Sequence, residues 1–235
     1  MLSLYSIKEV GNFAKVDIDR QKRRGIPEVV FAQGKTASET KGIIEAMMSE
    51  SGSVVVSRIR EADYSGVVSF ARDSGWSVSC GQNSTSILIY KTAIKKAAGS
   101  VGIITAGTSD IWIAEEARLV CEAMGCECHT SYDVGIAGIQ RVFASVHDMI
   151  EKDVDAIVVV AGMEGALATV ISSLVDVPVV GVPASAGYGY GGEGSAALAS
   201  MLQSCALGMA VVNIDNGIGA GAVAASISRR ANRRR

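Results

Sequence analysis

The sequence predicts an α/β protein in two parts: a small N-terminal α/β domain, residues 1–95, and a larger domain, residues 96–228, in which helices cover both faces of a parallel sheet. Three observations point there. Near-continuous Val/Ile runs recur through the second half, as in "VGIITAG", "DAIVVVAG" and "VPVVGVP". Helical patterns separate most of them. Each run ends in a loop of small and polar residues. Strands buried on both faces read as unbroken apolar runs, whereas half-exposed strands alternate.

Taken in order, "EVVFAQG" (28–34) reads as a strand and "TASETKGIIEAMMSE" (36–50) as a helix opened by a Thr36/Glu39 capping box. "SVVVS" (53–57) is a strand, residues 64–73 a short helix, and 76–80 and 86–90 two further strands. "KTAIKKAAGS" (91–100) reads as a connection. Five strands follow, at 101–107, 126–133, 155–162, 177–183 and 208–215. Residues 229–235 form a basic tail, expected to be disordered.

At 235 residues the chain is long enough to bury roughly ~70% of its unfolded surface. With 49% apolar residues and 26 glycines it reads as an ordinary globular chain. The apolar runs are too short to span a bilayer, and "MLSLYSIKEV" has no signal-peptide pattern, so a cytoplasmic protein is expected. An odd number of cysteines, five, scattered through predicted elements suggests reduced thiols. Net charge is −2, and removing the five arginines of the last seven residues leaves −7. No aromatic residues interleave that tail and no basic face accompanies it, so nucleic acid is not an expected partner.

In parallel sheets ligands bind beyond the carboxyl ends of the strands. Here those ends lead into "AGTSD", "YDVGIAG", "AGMEG", "VPASAGYGYGGEG" and "NIDNGIGAG", expected to converge on one edge. The candidate ligand contacts are Thr108, Ser109, Asp110, Asp133, Gly135, Ser185, Gly187, Asn213 and Asp215. Thr108 and Ser109 open a helix, whose free N–H groups suit phosphate; Ser109 or Asp110 could equally be a helix cap. Glycines after 185 let backbone N–H groups approach an anion, without a Walker or Rossmann signature. Glu164 at a helix start is either a cap or, in a desolvated pocket, a general base. Histidine is scarce, His129 in a strand and His147 in a helix. "CEAMGCEC" (121–128) offers no second ligand pair, and no metal site is expected. Cys205, in "MLQSCALG" past the glycine loop, is either a small buried hydrophobe or a nucleophile on a pocket wall. Arg20 and Arg23, in "DRQKRR", are either phosphate or carboxylate contacts or a solvated charge run.

The second half resembles the PurE-like carboxylases, a three-layer, flavodoxin-like arrangement. The whole chain, from roughly residue 13 to 221, resembles the LarB family, on "DIDRQKRRGIPEVVFAQGKT", "TAGTSD", "YDVGIAGIQR", "AGMEGAL", "VPASAGYG" and "MLQSCALGMAVVNIDNGIGAG". That resemblance implies the first step of nickel-pincer nucleotide synthesis. The pyridinium ring of nicotinic acid adenine dinucleotide is carboxylated at C5 by CO2, and its phosphoanhydride is hydrolysed to give pyridinium-3,5-biscarboxylic acid mononucleotide and AMP. It also implies that Cys205 adds to ring C4 and that Glu164 takes part; NAD, whose ring is likewise a pyridinium cation, is expected to bind without productive turnover. A homo-oligomer, with an octamer as its expected size, follows from the same resemblance. No tightly bound cofactor is expected, with Mg2+ the one ion considered as an aid to hydrolysis. The rival readings are aminoimidazole ribonucleotide carboxylation and a non-catalytic nucleotide scaffold. The purine enzymes' "AGGAAHLPG" histidine is here Ala166 of "AGMEGALAT", and Ala106 replaces the first glycine of their "GSxSD".

Overall fold

The computed structural model describes residues 6–96 and 99–234. The chain divides into two compact units, Met1–Lys95 and Lys96–Arg235.

The N-terminal unit opens with an antiparallel hairpin, β1 (Ile7–Val10) and β2 (Ala14–Asp17), and a short helix, α1 (Arg20–Arg24). Its sheet has the order β3-β4-β6-β5, from β3 (Val29–Phe31), β4 (Ser53–Ser57), β5 (Ser77–Cys80) and β6 (Ile87–Tyr90). β3 and β4 run parallel through the crossover helix α2 (Ala37–Glu50), while β4, β6 and β5 pair antiparallel. The capping box forms: Glu39 N–H donates to Thr36 Oγ1, and Thr36 N–H to the Glu39 carboxylate at 2.8 Å. α3 (Glu61–Asp73) starts three residues before the expected position, with Glu61 and Asp63 in its first turn. Acidic groups there face the positive end of the helix dipole. Ile44, Met47, Met48, Val54, Val56 and Ile87 fill the core between helices and sheet.

The second unit is a five-stranded, all-parallel sheet of order β11-β10-β9-β7-β8. Its strands are β7 (Ser100–Thr105), β8 (Glu127–Ser131), β9 (Ala156–Ala161), β10 (Val179–Pro183) and β11 (Met209–Val211). Every residue of β9 and β10 is buried, as their unbroken apolar runs require. On one face lie α5 (Ile139–Glu151), α6 (Ala166–Ser172) and α7 (Ser195–Leu202), which share a core of Val142, Val146, Met149, Leu167, Ile171 and Met201 with the strands. The helices α4 (Ile111–Ala123) and α8 (Gly217–Ala231) pack closely against each other and β9. This is the three-layer, PurE-like arrangement. The chain leaves β7 for β8 on one side and returns to β9 on the other, so the crevice between the carboxyl ends of β7 and β9 is a topological switch point.

Two expectations change. The C-terminal tail, expected to be disordered from residue 229, continues α8 to Ala231 and a 3-10 turn over Asn232–Arg234. A half-buried anchor explains this. Asp155 accepts hydrogen bonds from Ser228 Oγ (2.6 Å), Asn232 Nδ2 (3.0 Å) and the Ser100 N–H (2.9 Å), fastening the helix end to the sheet. Arg235 lies outside the described residues. The fifth strand spans three residues rather than eight, because Asn213–Asn216 turns back to begin α8. No helix among the described residues is long and apolar enough to cross a membrane.

Candidate active site

The loops after β7, β8, β9 and β10 close around a cavity of about 460 Å3. Its wall holds Ser109, Asp110, Gly135, Glu164 and Gly187 of the expected residues. Ile136, Ala137, Met163, Ala166, Leu167 and Tyr188 supply apolar surface that the loop motifs do not announce. "VGIAG" alone carried a sign of it, an isoleucine between glycines in an otherwise polar connection.

Close backbone packing explains the glycines. A Cβ on Gly162 would fall 2.0 Å from the Ala186 carbonyl oxygen, so the loops after β9 and β10 meet only across a residue with no side chain. Asp110 ties the neighbouring pair. Its Oδ2 accepts the Gly107 N–H at 2.9 Å, and the Gly162 N–H also donates to its carboxylate. Burial pushes this carboxyl up to about 6, opposed by the two N–H donors and assisted by the negative charge of Asp215. Four of the seven non-glycine residues with positive φ among the described residues lie in these carboxyl-edge loops: Asp133 (59°), Met163 (50°), Glu193 (58°) and Asp215 (56°). Strained backbone gathered at one edge is characteristic of a functional site.

Glu164 stands one residue before the left-handed Gly165 that begins α6, and it is exposed. The desolvated setting expected for it is therefore absent from a single chain. Thr108, Asp133, Ser185, Asn213 and Asp215 do not line the cavity; they shape it. Thr108 is exposed on the turn before α4. Asp133 N–H donates to Thr105 Oγ1, and its carbonyl accepts from Arg141 at 2.8 Å. Asp215 Oδ1 accepts the Ser185 N–H at 2.8 Å, fastening the glycine loop to the loop after β11. Asn213 Oδ1 accepts the Ile214 N–H. Arg20 and Arg23 belong to the N-terminal unit, ion-paired with Glu28 at 3.1 Å and Asp17 at 2.5 Å.

Cys205 stands apart from the other expected residues. It is exposed, lies three residues beyond the end of α7, and does not line the cavity. Its loop is fixed against the lower part of α6: Thr169 Oγ1 bonds Ser204 Oγ at 2.9 Å, and Ser172 Oγ donates to the Leu207 carbonyl at 3.2 Å. The Val179 N–H at the start of β10 donates to Gly208. Topology requires this. α7 leaves the carboxyl edge and must return toward the amino edge before a parallel β11 can begin. Two of the other cysteines are structural: Cys121 and Cys126 bond the α8 carbonyls of Gly221 and Ala225; a hydrogen bond with Cys128 and then burial raise the Cys121 thiol, and burial raises Cys126 to about 11.

No group of three or more His, Cys, Asp and Glu among the described residues could hold a metal ion.

A five-stranded parallel sheet with its cavity at the switch point places the second unit in the PurE-like carboxylase class, and residues 100–234 match the AIR carboxylase family. Residues 7–80 match the LarB/PurE-like N-terminal domain. With both matches in sequence order, the chain belongs to the LarB family. An uncharacterized protein of Methanocaldococcus jannaschii is 43% identical over 230 residues, covering 97% of this chain and 89% of that one. A solved GH3 exo-beta-xylosidase (XlnD), in complex with a xylobiose aziridine probe, aligns at 13% identity and a TM-score of 0.36. That alignment covers 73% of this chain and about a quarter, 25%, of the xylosidase chain.

Proposed function

We propose that this carboxylase-family protein carboxylates C5 of the pyridinium ring of nicotinic acid adenine dinucleotide with CO2. Water then cleaves the phosphoanhydride, giving pyridinium-3,5-biscarboxylic acid mononucleotide and AMP. The observation that carries this reading is the LarB-type N-terminal domain joined to a carboxylase cavity with Ala166 and Glu164 on its wall and no histidine.

A pyridinium ring is too electron-poor to attack CO2. A thiolate from Cys205 adds to C4, its electron pair forming the S–C4 bond while the ring π electrons move to nitrogen. The resulting dihydropyridine is an enamine, and C5 attacks CO2 to form the new C–C bond. Glu164 takes the C5 proton, the C5–H electrons restore the enamine, and expulsion of the thiolate regenerates the pyridinium. No net oxidation occurs. Aspartate and glutamate on the wall suit a cationic ring, and Leu167 and Ile136 its apolar face.

The test is mass spectrometry of products from nicotinic acid adenine dinucleotide and labelled bicarbonate. One label in a biscarboxylated mononucleotide, with AMP, is expected from wild type. Cys205→Ser should abolish it, since an alkoxide is scarce at neutral pH and a poor leaving group. Unlabelled nucleotide as the sole product would overturn the reading, and label in aminoimidazole ribonucleotide would replace it.

A further inference from the structure

We propose that Tyr188 is the residue by which the cavity recognises a positively charged ring. Its phenol face closes over the pyridinium of the bound dinucleotide and lets go once the ring becomes neutral. This deepens the function proposed above and rests on its substrate class.

Tyr188 carries the single π face among the described residues of the cavity wall. The rest of that wall is small, aliphatic or acidic, apart from the thioether of Met163. Tyr188 is 82% exposed, so a whole ring face is open to a ligand. Tyr190 is exposed as well, but it does not line the cavity.

The backbone gives this side chain room to move on a fixed base. Gly189 has φ of 80°, and a Cβ there would meet nothing within 4 Å. Glycine on both sides leaves Tyr188 free of neighbouring side chains. The loop beneath is held: Ser185 N–H donates to Asp215 at 2.8 Å, and a Cβ on Gly187 would lie 3.3 Å from the Met163 nitrogen. The loops after β9 and β10 therefore touch, with Glu164 next to Met163 on one and Tyr188 next to Gly187 on the other. A ring under Tyr188 lies on the side of the cavity where Glu164 stands.

The two wall carboxylates, Asp110 and Glu164, attract any cation, round or flat. An aromatic face is more selective. Its quadrupole is negative over the ring, and a flat aromatic cation can lie parallel to it. Addition of a thiolate at C4 removes the positive charge and the planarity together, so the contact is strongest before the chemistry begins. An interaction made in the ground state and lost later raises affinity without raising turnover. Loss of Tyr188 should therefore raise KM and leave kcat unchanged, whereas loss of Glu164 lowers kcat.

Binding of NAD and NADH tests this, because the two differ in the charge and aromaticity of one ring. Equilibrium dialysis is done on Cys205→Ser chains, in which no adduct forms. With Tyr188 intact, NAD should bind more tightly than NADH. Tyr188→Leu should weaken NAD about five- to thirtyfold and leave NADH within about twofold, while Tyr188→Phe keeps the original ratio. Tyr188→Trp should show a charge-transfer absorbance with NAD, at longer wavelength than either partner alone, and none with NADH. In chains with Cys205 intact, Tyr188→Leu should raise KM for the acid dinucleotide at unchanged kcat. Equal weakening of NAD and NADH by Tyr188→Leu, or no weakening of either, would overturn the proposal. So would a change of assembly in Tyr188→Leu on size-exclusion chromatography, which would make Tyr188 a protein contact. Wild type that binds NAD but does not carboxylate the acid dinucleotide would overturn the proposed reaction instead, and the NAD-to-NADH ratio would still decide the role of Tyr188. Wild type that binds neither pyridinium dinucleotide would overturn both.

Discussion

Asp110 illustrates how one residue can serve the site at a cost to the fold. Its folded-state value of about 6 lies above the ordinary 3.8. Below the ordinary value the carboxyl is protonated in both states and nothing is lost. Between the two values the folded protein keeps a proton that the unfolded chain releases, so stability falls as pH rises. By pH 7 this amounts to a few kcal/mol, of order ~3. Asp110→Asn removes the ionisation while retaining an oxygen acceptor for Gly107 N–H. The variant should therefore gain on wild type in melting temperature as pH is raised from 5 to 8, and lose nucleotide turnover through a looser Gly107–Gly162 clasp. Parallel melting curves across that range would show that the burial of this carboxylate is not what sets its energetics. Glu164→Gln, on an exposed side chain, should leave assembly and melting temperature unchanged while carboxylation falls at least a hundredfold. A defect that tracked loss of the oligomer would move Glu164 from the chemistry to the interface.

At the scale of elements, the close contact of α4 with α8 is the most exacting. A Cβ on Gly217 would lie 2.1 Å from the Ile113 carbonyl oxygen, and one on Gly221 2.5 Å from that of Ala117. Both neighbours are backbone and cannot rotate away. Gly221→Ala should cost about 1–3 kcal/mol by overpacking, visible as a drop of several degrees in melting temperature. An unchanged melting temperature would mean that the two helices slide apart freely. This precision is invisible in the sequence, where "NGIGAGAVAAS" is only a stretch of small residues. The strands were legible where burial makes their runs continuous, as in β4, β7, β9 and β10. The β1–β2 hairpin was not, because "IKEV" and "AKVD" are short and half charged and expose one face. The loops were legible as a group, since parallel strands send their carboxyl ends to one edge. Which side chains line the cavity depends on how glycines let those loops meet, as at Gly162 and Ala186, and no spacing rule reports that. Cys205 lies apart from the cavity of its own chain, as the topology requires: a residue beyond the helix that follows a strand has already travelled toward the opposite edge.

At the scale of the whole molecule, the proposed function requires that an acid dinucleotide be chosen over its amide. The cavity wall presents Asp110 and Glu164 and no lysine, arginine or histidine. That charge favours the pyridinium ring of either dinucleotide and opposes the extra carboxylate of the acid. NAD should therefore compete for the site, and its more electron-poor ring should form the C4 adduct readily without yielding product. Preference for the acid must come from donors, and two candidates are the N-terminal arginines and the backbone of the glycine loop. Arg20 and Arg23 are already ion-paired, with Glu28 and Asp17, so recruiting them means breaking a pair. The loop from Ser185 to Gly192 offers backbone N–H groups between two bonded ends, Ser185 N–H donating to Asp215 and Gly192 N–H to Gly189, and Asp215 holds that loop in place. Two charge-assisted hydrogen bonds there, at roughly ~1.5–3 kcal/mol each before desolvation, give a selectivity of ten-fold or more. The expected outcome is that Arg20→Gln and Arg23→Gln keep the acid-to-amide ratio of carboxylation, read by product mass in a competition between the two dinucleotides. Asp215→Ala, which frees the loop, should lower that ratio several-fold. If the ratio instead collapses in either arginine variant and survives in Asp215→Ala, the carboxylate is recognised by the N-terminal unit and the glycine loop serves the phosphates.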